Sequence, residues 1–584
     1  MVERAFLNVE HSLTGRRWVG PGVQINRQAE AIEQASGLPE PLCQTLARQG
    51  VAPESATAYL SPALRDLLPD PMVLADMACA ADRFIAALHK KQKIAIFADY
   101  DVDGASSAAL ILTWLTAMNH SATLYVPDRI DEGYGPNDAA MEMLARDHDL
   151  IICVDCGTVS HGPIAAAKGA DVIVLDHHLG SETLPPALAV VNPNRQDETG
   201  DLGHLCAAGV VFLFLVQTNR ALRQAGTKGP DLMGFLDLVG LATIADVAPL
   251  IGVNRAFVRQ GLKIMATRQR PGLVALSDVA KLDTAPTSYH LGFVLGPRIN
   301  AGGRVGRADL GARLLSTPDP AEAASIADKL DMLNTERRDI ETSVREAALA
   351  QAIERGVDGP LVWAAHEGWH PGVVGIVASR IKEVTNRPTI VIGLNDGEGK
   401  GSGRSVSGID LGAAVQRLAA EGLLIKGGGH KMAAGLSLQA DQLQPAMDRL
   451  GQLLARQGAG DLGPRELRLT SVLMTGAASV DLIAQLEAAG PFGASAPAPR
   501  FAFPDQPIRF AKRVGANHLK ISFGDKSAPP IDAIAFGAFD GPLGPELENH
   551  GGKYFHLAGR LEINSWGGKS RVQLRLEDAA PAHE

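Results

Sequence analysis

The sequence predicts an α/β protein with a parallel-sheet domain, a smaller α/β domain joined to it by a long helix, and a C-terminal β-barrel. The apolar runs KIAIFA, DLIICV and ADVIVL alternate with helix-length segments, a pattern typical of a parallel sheet. Residues 321–355 contain no Gly or Pro and space their apolar residues by three, four or seven, which predicts one helix of about 50 Å. Short strands dominate residues 463–576, as in a small barrel or sandwich.

Length and composition limit the class of protein. A chain of 584 residues is expected to hold three or four domains. Its hydrophobic content of 46% and charged content of 21% are ordinary for a soluble globular protein. We find no apolar run of the ~20 residues that a membrane helix needs, and the first residues, MVERAFLNVEHSL, lack the apolar core of a secretory signal. With five cysteines and no disulfide framework, a cytoplasmic location is expected.

The order of these patterns predicts five segments along the chain. Each is defined by a change in periodicity or composition. They are an N-terminal helical segment (1–75), a parallel-sheet domain (76–318), a connecting helix (319–356), a second α/β domain (357–460) and a strand-rich domain (461–578).

Acidic and histidine residues follow the apolar runs at the points where the strands are expected to end. Strand 93–98 leads into DYDVDG, strand 150–154 into Asp155, and strand 172–175 into Asp176-His177-His178. A later helical stretch ends at Asp246. Right-handed crossovers place the carboxyl ends of parallel strands at one edge of the sheet. Because clustered carboxylates repel one another unless cations neutralise them, we expect a metal site there.

The number of carboxylates predicts two metal ions. If the first strand continues through Asp99, Asp101 and Asp103, all three side chains point to one face. Oxygen ligands suit Mg²⁺ or Mn²⁺, and an imidazole favours Mn²⁺. Asp155 is placed centrally enough to bridge two ions, and two ions about 3.5–4 Å apart suit phosphoryl transfer. A lone DxDxD is more often a calcium-like loop or a solvated turn, and a lone His pair is usually packing, but four clusters together favour the metal centre.

Glycine-rich segments with basic residues are candidate phosphate sites. The stretch GPRINAGGRVGR, read as a loop, places Arg298 and Arg304 among glycines; glycine lets backbone approach a phosphate and arginine can fork onto its oxygens. Arg404 in GSGRS and His430 in GGGHK are weaker candidates, since such segments are often only turns. Trp566 lies beside Lys569 in the strand-rich region, where it can stack on a base or serve the barrel structurally.

Together these motifs resemble a known family. DYDVDG, VDCG, DHH and ADV, in this order, resemble the DHH phosphoesterase superfamily. GPRINAGGRVG, WHPGVVGIVASR, GSGRSVSGIDL, GGGHKMAAG and the terminal LEINSWGGKSRVQLRLED resemble, more narrowly, the bacterial RecJ exonuclease family, which has DHH, DHHA1 and OB-fold domains.

The resemblance implies roles for individual residues. The metal ligands it implies are Asp101, Asp103, Asp155, His177 and Asp246, with Asp99 at a position that varies between Asp and His in the family. Asp155, Asp176 and His178 are the implied catalytic residues, and His178 is the candidate for contacting the scissile phosphate. Substrate-binding roles fall on Arg298, Asn300, Arg304, Arg404, His430 and Trp566.

The resemblance also implies an activity. It is a 5′-to-3′ exonuclease on single-stranded DNA that releases mononucleotides by two-metal hydrolysis and serves recombination and repair. Implied partners are single-stranded DNA, single-strand binding protein and a RecQ-type helicase.

Two other functions are open from the residues. One is a phosphoesterase of small substrates such as cyclic dinucleotides, and the other is a catalytically dead DNA-binding scaffold. The net charge of −10 argues mildly against a polyanion ligand, but basic residues concentrate locally, as in 500–520. That basic, strand-rich end favours a polymer substrate.

Overall fold

The structure is a computed structural model that describes residues 4–129, 132–525, 528–566 and 569–582. By internal contacts the chain divides into two compact units. The first comprises residues 1–68, 249–259 and 464–584, and the second comprises residues 69–248 and 260–463. The five predicted segment boundaries are finer than this division and stay a prediction.

The strands of the described residues are numbered in chain order. They are β1 Arg17–Val19, β2 Ile94–Ala98, β3 Ala122–Tyr125, β4 Leu150–Val154, β5 Asp171–Leu175, β6 Ala189–Val191, β7 Val362–Glu367, β8 Thr389–Asn395, β9 Glu398–Arg404, β10 Lys426–His430, β11 Ala433–Gln439, β12 Glu466–Arg468, β13 Ser471–Val472, β14 Phe501–Val514, β15 His518–Phe523, β16 Ile531–Ala535, β17 Tyr554–Trp566 and β18 Lys569–Pro581.

The α-helices of the same residues range from single turns to ten turns. They are α1 Val23–Ser36, α2 Glu40–Arg48, α3 Ala56–Tyr59, α4 Leu64–Leu67, α5 Met77–His89, α6 Val102–Ala117, α7 Asp138–Asp147, α8 His161–Ala166, α9 Ala207–Gln224, α10 Leu236–Ala245, α11 Gly252–Ala266, α12 Pro271–Val279, α13 Ser288–His290, α14 Gly296–Val305, α15 Leu310–Ser316, α16 Pro320–Arg355, α17 Pro371–Thr385, α18 Leu411–Ala420, α19 Leu443–Ala455, α20 Val480–Ala488 and α21 Leu543–Glu548.

The second unit contains the predicted parallel sheet. Its order is β3-β2-β4-β5-β6, and every neighbouring pair is parallel. β2 and β4 are buried along their whole length, as expected when helices cover both faces. The prediction of this sheet is confirmed, and its carboxyl edge presents the residues that follow β2, β4, β5 and β6.

The predicted connecting helix is confirmed as α16. Asp319 caps its first turn by accepting the Ala321 N–H, Pro320 occupies the first helical position, and Gly356 ends it with φ of 96°. Proline suits the first turn because no N–H is needed there, and glycine suits a positive φ.

The second sheet corrects a prediction. Its order is β10-β11-β9-β8-β7. The segments GSGRS and GGGHK were expected to be loops, but all of their residues except the last of each lie in strands β9 and β10. Glycine alternates along β9 on its core face. A Cβ at Gly401 would lie 2.8 Å from Ile392 Cγ1, and one at Gly403 would lie 2.5 Å from Ile390 Cδ1. These glycines therefore make room for large neighbours, and they keep the strand period of two.

The first unit contains the C-terminal barrel. β14, β15, β16, β18 and β17 form a closed ring of five strands, since β14 also pairs with β17, so the predicted barrel is confirmed. The N-terminal segment packs on it: Ile32, Leu42 and Leu46 are buried in one apolar cluster with barrel residues such as Phe501. The segment also contributes a strand that the sequence pattern did not predict, because β1 pairs in parallel with β12.

Among the helices in the described part of the chain, none is both long and apolar enough to cross a bilayer.

Candidate metal centre

The carboxyl edge of the parallel sheet gathers the predicted acidic and histidine residues. Asp99 follows β2, Asp155 follows β4 and Asp176 follows β5, and these strands are neighbours in the sheet. Asp246 reaches the same place from the end of α10. The His177 Nε2 lies 3.3 Å from Asp155 Oδ1 and 3.8 Å from Asp246 Oδ2.

Three overlapping groups of side chains in the described residues offer ligand atoms within 4.8 Å of one another. Asp155 belongs to two groups and so does His177. The groups are Asp99, Asp101 and Asp155; Asp103, His177 and Asp246; and Asp155, His177 and His178.

The turn through DYDVDG differs from the predicted strand. β2 ends at Ala98, and Asp101 caps α6 by accepting the N–H groups of Asp103 and Gly104 at 2.8 and 3.1 Å. Glycine is required at 104 because a Cβ would lie 2.4 Å from the carbonyl oxygen of Asp99. The three carboxylates are thus brought together by a strand-to-helix turn rather than by strand alternation.

Asp103 lies inside α6 and is held by a second helix. Its carboxylate accepts the N–H groups of Ala207 and Ala208, at the start of α9, at 2.6 and 2.8 Å. A helix N-terminus favours a negative charge. Burial nevertheless raises the pKa of Asp103.

Asp155 has two unusual features. Its φ is 59°, a left-handed conformation that few residues other than Gly, Asn and Asp adopt. Its Oδ1 and that of Asp99 are buried without a hydrogen-bond partner among the described residues. A buried acceptor without a hydrogen bond is costly, and binding to a metal ion would remove that cost for these two oxygens.

The electrostatics of the cluster favour bound cations over free carboxylate charges. Burial, and then the neighbouring Asp103 and Asp101 carboxylates, raise the pKa of Asp155 well above its usual range. Burial and Asp103 raise the pKa of Asp246 to about 8. Oxygen and imidazole donors at this density fit hard divalent ions such as Mn²⁺ and Mg²⁺, so the residues present fit the predicted metals.

Asp176 and His178 form a hydrogen-bonded pair behind the cluster. The Asp176 Oδ1 lies 2.8 Å from His178 Nδ1, and the same carboxylate accepts the N–H groups of Thr158, His177 and His178. Burial alone would raise the pKa of Asp176, but the hydrogen bond and charge of His178 hold it well below its usual range. Burial would lower the pKa of His178, but Asp176 raises it to about 9. This geometry favours an orienting role for Asp176 over direct contact with a substrate.

Tyr134 is a site residue that the sequence reading missed. Its hydroxyl donates to the carbonyl oxygen of Asp155 at 3.2 Å and lies 3.0 Å from His178 Nε2. Both ring nitrogens of His178 therefore have partners, one in Asp176 and one in Tyr134. For the predicted contact with a phosphate, His178 has to share or release its Tyr134 partner.

Two asparagines were also missed, although they follow β6 as the aspartates follow β2, β4 and β5. Asn192 Nδ2 donates to the carbonyl oxygen of His178 at 2.8 Å, and Asn194 Nδ2 donates to that of His177 at 2.6 Å. They fix the backbone of the histidine pair. Reading every polar residue at a strand's carboxyl end, rather than only charged ones, would have found them.

Arginines lie beside the cluster. Burial and then Arg129 lower the pKa of Arg304 to about 10, and burial and Arg129 also lower the pKa of Arg404. Arg304 donates to the carbonyl oxygen of Gly372 at 2.9 Å, which ties α14 to the start of α17. Arg129, which follows β3 and was not predicted, lies 5.2 Å from the centre of the Tyr100 ring. These cations repel one another, an arrangement that suits a bound anion.

The segment that contains Arg298 differs from the prediction of a loop. The Gly/Arg stretch forms helix α14 instead of a loop, and the Arg298 guanidinium donates to Asp331 at 2.8 Å and to the carbonyl oxygen of Val294 at 2.8 Å. The glycines serve packing, since a Cβ at Gly303 would lie 2.8 Å from Tyr100 Cβ. Arg298 is thus paired within the protein, which weakens its predicted role in holding phosphate.

The other predicted substrate residues have different placements. Asn300 accepts the Val102 N–H at 3.0 Å, between Asp101 and Asp103, and so positions the acidic turn. Exposed His430 and half-buried Arg404 lie at the same end of the second sheet, because Ala433 pairs with both. Trp566 ends β17, and its side chain lies outside the described part of the structure.

The fold and this site define a metal-dependent phosphoesterase. Family models match three parts of the chain: the DHH family N-terminal domain at residues 93–243, the DHHA1 domain at 358–456 and the RecJ OB domain at 471–578.

Comparison with known proteins narrows the class to one family. The single-stranded-DNA-specific exonuclease RecJ of Dickeya dadantii is 37% identical over 96% of this chain and 99% of its own length, and that of Escherichia coli is 35% identical with the same coverage. The crystal structure of RecJ from Thermus thermophilus in complex with Mn²⁺ is 29% identical, with a TM-score of 0.80 over 96% of this chain and 79% of that one. A Mg²⁺ complex of the same protein has a TM-score of 0.74 at 28% identity, over 96% of this chain and 78% of that one. The chain belongs to the RecJ family of exonucleases.

Proposed function

We propose that this chain is a metal-dependent exonuclease that degrades single-stranded DNA from its 5′ end to mononucleotides, in recombination and repair. One observation carries the proposal: a carboxylate and histidine cluster that fits divalent cations lies in the same compact unit as the arginines Arg129, Arg304 and Arg404. Cations beside arginines suit a phosphodiester that is both held and cut. The names of the family's members support single-stranded DNA as the substrate, and the direction of cleavage rests on the resemblance.

The metal ions would be held by two sets of side chains. Asp99, Asp101 and Asp155 would form one set, and Asp103, His177 and Asp246 the other; Asp155 lies 3.3 Å from His177, where the two sets adjoin. When bound, divalent ions in such a site activate water and stabilise charge on the attacking and leaving oxygens.

The protein's own groups position the substrate for that chemistry. Arg129, Arg304 and Arg404 bind phosphate oxygens, and Asp176 and Tyr134 hold the His178 ring at the edge of the cluster. His178, which lies 2.8 Å from Asp176 through Nδ1 and 3.0 Å from the Tyr134 hydroxyl through Nε2, contacts the scissile phosphate from the edge of the cluster and shares its Nε2 with Tyr134. No covalent intermediate is needed.

The barrel of the first unit supports a polymer substrate. In register across its strands lie Lys512, Lys520, Ile534 and Arg575. Lys512 and Lys520 lie directly opposite each other; Lys520 also pairs with Asp532 at 3.2 Å and Arg575 with Glu562 at 3.6 Å, and such solvent-exposed pairs can be exchanged for contacts with phosphates. Exposed Phe536 lies 5.4 Å from the Arg575 guanidinium and offers a face for a base.

The direct test is a cleavage assay with single- and double-stranded DNA labelled at either end, in Mn²⁺ or Mg²⁺. We expect mononucleotides from the 5′ end of the single strand only, and none with EDTA. Asp155→Ala should lose more than roughly 100-fold in activity, since even outer ligand partners are worth 10–100-fold. Cleavage of cyclic dinucleotides with DNA left intact would overturn the proposal in favour of a small-substrate phosphoesterase.

Single-strand binding protein and a RecQ-type helicase are proposed partners, and the cytoplasm is the proposed compartment, all by the family resemblance. Co-purification with the tagged chain after nuclease treatment tests the proposed partners. If neither protein co-purifies, the partner proposal is contradicted.

A further inference from the structure

We infer that Tyr289 and Phe293 form a stacking platform for a nucleobase of the single strand whose end lies in the metal centre. This inference rests on the proposed function and assigns to it a base-binding site. The two rings stack on each other with centroids 5.1 Å apart and planes 25° apart. Their exposed fractions are 53% for Tyr289 and 70% for Phe293, which is high for large aromatic side chains.

The platform has a rigid base. Residues 288–305 form one helical run: α13, a π-helical turn over Leu291–Leu295, and α14. Leu291 and Leu295 are fully buried, in contrast to the exposed rings on the same run. π-helical turns are rare and are frequently found at functional sites. The rings are therefore held outward by packing beneath them.

The same helical run packs against residues that adjoin the metal centre, at two points. A Cβ at Gly292 would lie 3.3 Å from Ile244 Cγ2, and one at Gly296 would lie 3.5 Å from Ala245 Cβ, and Ala245 directly precedes Asp246. Asn300 accepts the Val102 N–H between Asp101 and Asp103. The position of the rings relative to the carboxylates is thus fixed by direct contacts.

The spacing identifies the nucleotide that the platform would meet. Phe293 precedes Asn300 by seven residues, or about 10 Å of helix at 1.5 Å per residue. A stacked strand advances roughly 3.4 Å per nucleotide, so a strand that follows the helical run places a base about three nucleotides from the cleaved end at the rings. Aromatic stacking is tolerant of sequence because every base offers a π-face, as an exonuclease of this kind requires.

The test separates base stacking from catalysis. The double variant Tyr289→Ala/Phe293→Ala is compared with the ring-preserving control Tyr289→Phe/Phe293→Tyr, with a 5′-phosphorylated oligonucleotide and a dinucleotide as substrates. We expect KM for the oligonucleotide to rise roughly tenfold in the alanine variant, with the control and all dinucleotide rates unchanged. An abasic site at the third nucleotide should raise KM in the parent and leave it unaltered in the alanine variant.

A binding readout makes the inference independent of activity. In an Asp155→Ala background, 2-aminopurine at the third nucleotide should be quenched on binding, and adding the alanine pair should abolish the quenching. If the parent cuts single strands but the alanine pair changes neither KM nor quenching, the platform is refuted while the proposed function stands. If the parent cuts no DNA, the proposed function fails, and absence of quenching in the same experiment refutes the platform as well.

Discussion

At the scale of single residues, Asp155 combines a strained backbone with a buried Oδ1 that accepts no hydrogen bond from the described residues, although His177 Nε2 lies 3.3 Å away. Its left-handed φ of 59° aims the carboxylate into the cluster, and strain of this kind is often stored at functional sites. Aspartate and asparagine tolerate this conformation better than other residues that have a Cβ. Position 155 therefore has two constraints on residue type: a negative charge for a cation and a left-handed backbone.

We predict that Asp155→Asn folds as the parent does and loses activity by more than roughly 100-fold. The amide fits the same backbone but brings no negative charge for a cation. Thermal melting without metal and a single-strand cleavage assay check the two parts. Activity within a few-fold of the parent would show that Asp155 is not a ligand.

A second residue-scale prediction concerns Tyr134→Phe. Removing the hydroxyl takes a partner from His178 Nε2 and from the Asp155 carbonyl, so the histidine ring loses its orientation. We expect kcat to fall roughly 10- to 100-fold, as for other outer partners of a metal site, with KM changed little. An unchanged kcat would mean that Asp176 alone orients His178.

At the scale of elements, the acidic turn depends on the close approach of α6 to the end of β2. A Cβ at Gly104 would lie 2.4 Å from a backbone oxygen of Asp99, and backbone cannot move aside as a flexible side chain can. The packing of α6 on the end of β2, and with it the geometry of the metal site, therefore depends on the absence of a side chain at Gly104.

We predict that Gly104→Ala destabilises the protein by about 1–3 kcal/mol, the usual cost of overpacking, and abolishes cleavage. Gly451→Ala is the matched control, because Gly451 lies inside α19 with nothing within 4 Å of the added atom. The control should gain about 0.5–1 kcal/mol from helix propensity. Denaturant unfolding of both variants measures the difference, and equal stabilities would contradict the steric argument.

The elements also show what the sequence allows one to predict. Buried apolar runs predicted β2, β4 and β5, and the polar residues after them predicted the carboxylate cluster, because parallel topology alone places strand ends together. The glycine-rich segments around Arg298, Arg404 and His430 were wrongly predicted to be loops because glycine has two uses. It permits turns and also close packing, and only the tertiary neighbours of Gly303 and Gly401 reveal which applies.

At the scale of the whole molecule, metal binding and stability are linked. Burial raises the pKa of Asp99 and Asp155 well above the ordinary range, and that of Asp246 to about 8. Between about pH 4 and the raised values the folded state binds more protons than the unfolded chain, so without metal these groups lose stability as pH rises through that window.

We therefore predict that saturating Mn²⁺ raises Tm, and raises it more at about pH 8 than at about pH 6, because the cations replace the lost protons and compete with them at low pH. Differential scanning fluorimetry at matched ionic strength measures this, with Asp155→Asn as the control that should show a smaller shift. A Tm that does not respond to metal at the higher pH would contradict a preformed cluster.

The first unit makes a further prediction about the whole chain. Ile32, Leu42 and Leu46 of the N-terminal segment are buried with residues of the barrel. A variant ending at Gly463 should expose that apolar face, bind a hydrophobic dye and aggregate, whereas a variant spanning residues 69–463 should do so less. Size-exclusion chromatography and dye fluorescence compare them, and a monomeric, dye-free 1–463 variant would refute the dependence.

The packing of the N-terminal segment on the barrel also has a consequence during translation. The segment ends at residue 68 and its partner begins at residue 464, so about 400 residues must be translated before the two can meet. At roughly 5–20 residues per second, the helices α1 and α2 emerge from the ribosome some 20–80 s before the surface that buries Ile32, Leu42 and Leu46 exists. During that interval the nascent chain offers an apolar site for chaperones, and the rate of translation, rather than the final stability, decides how long it stays open.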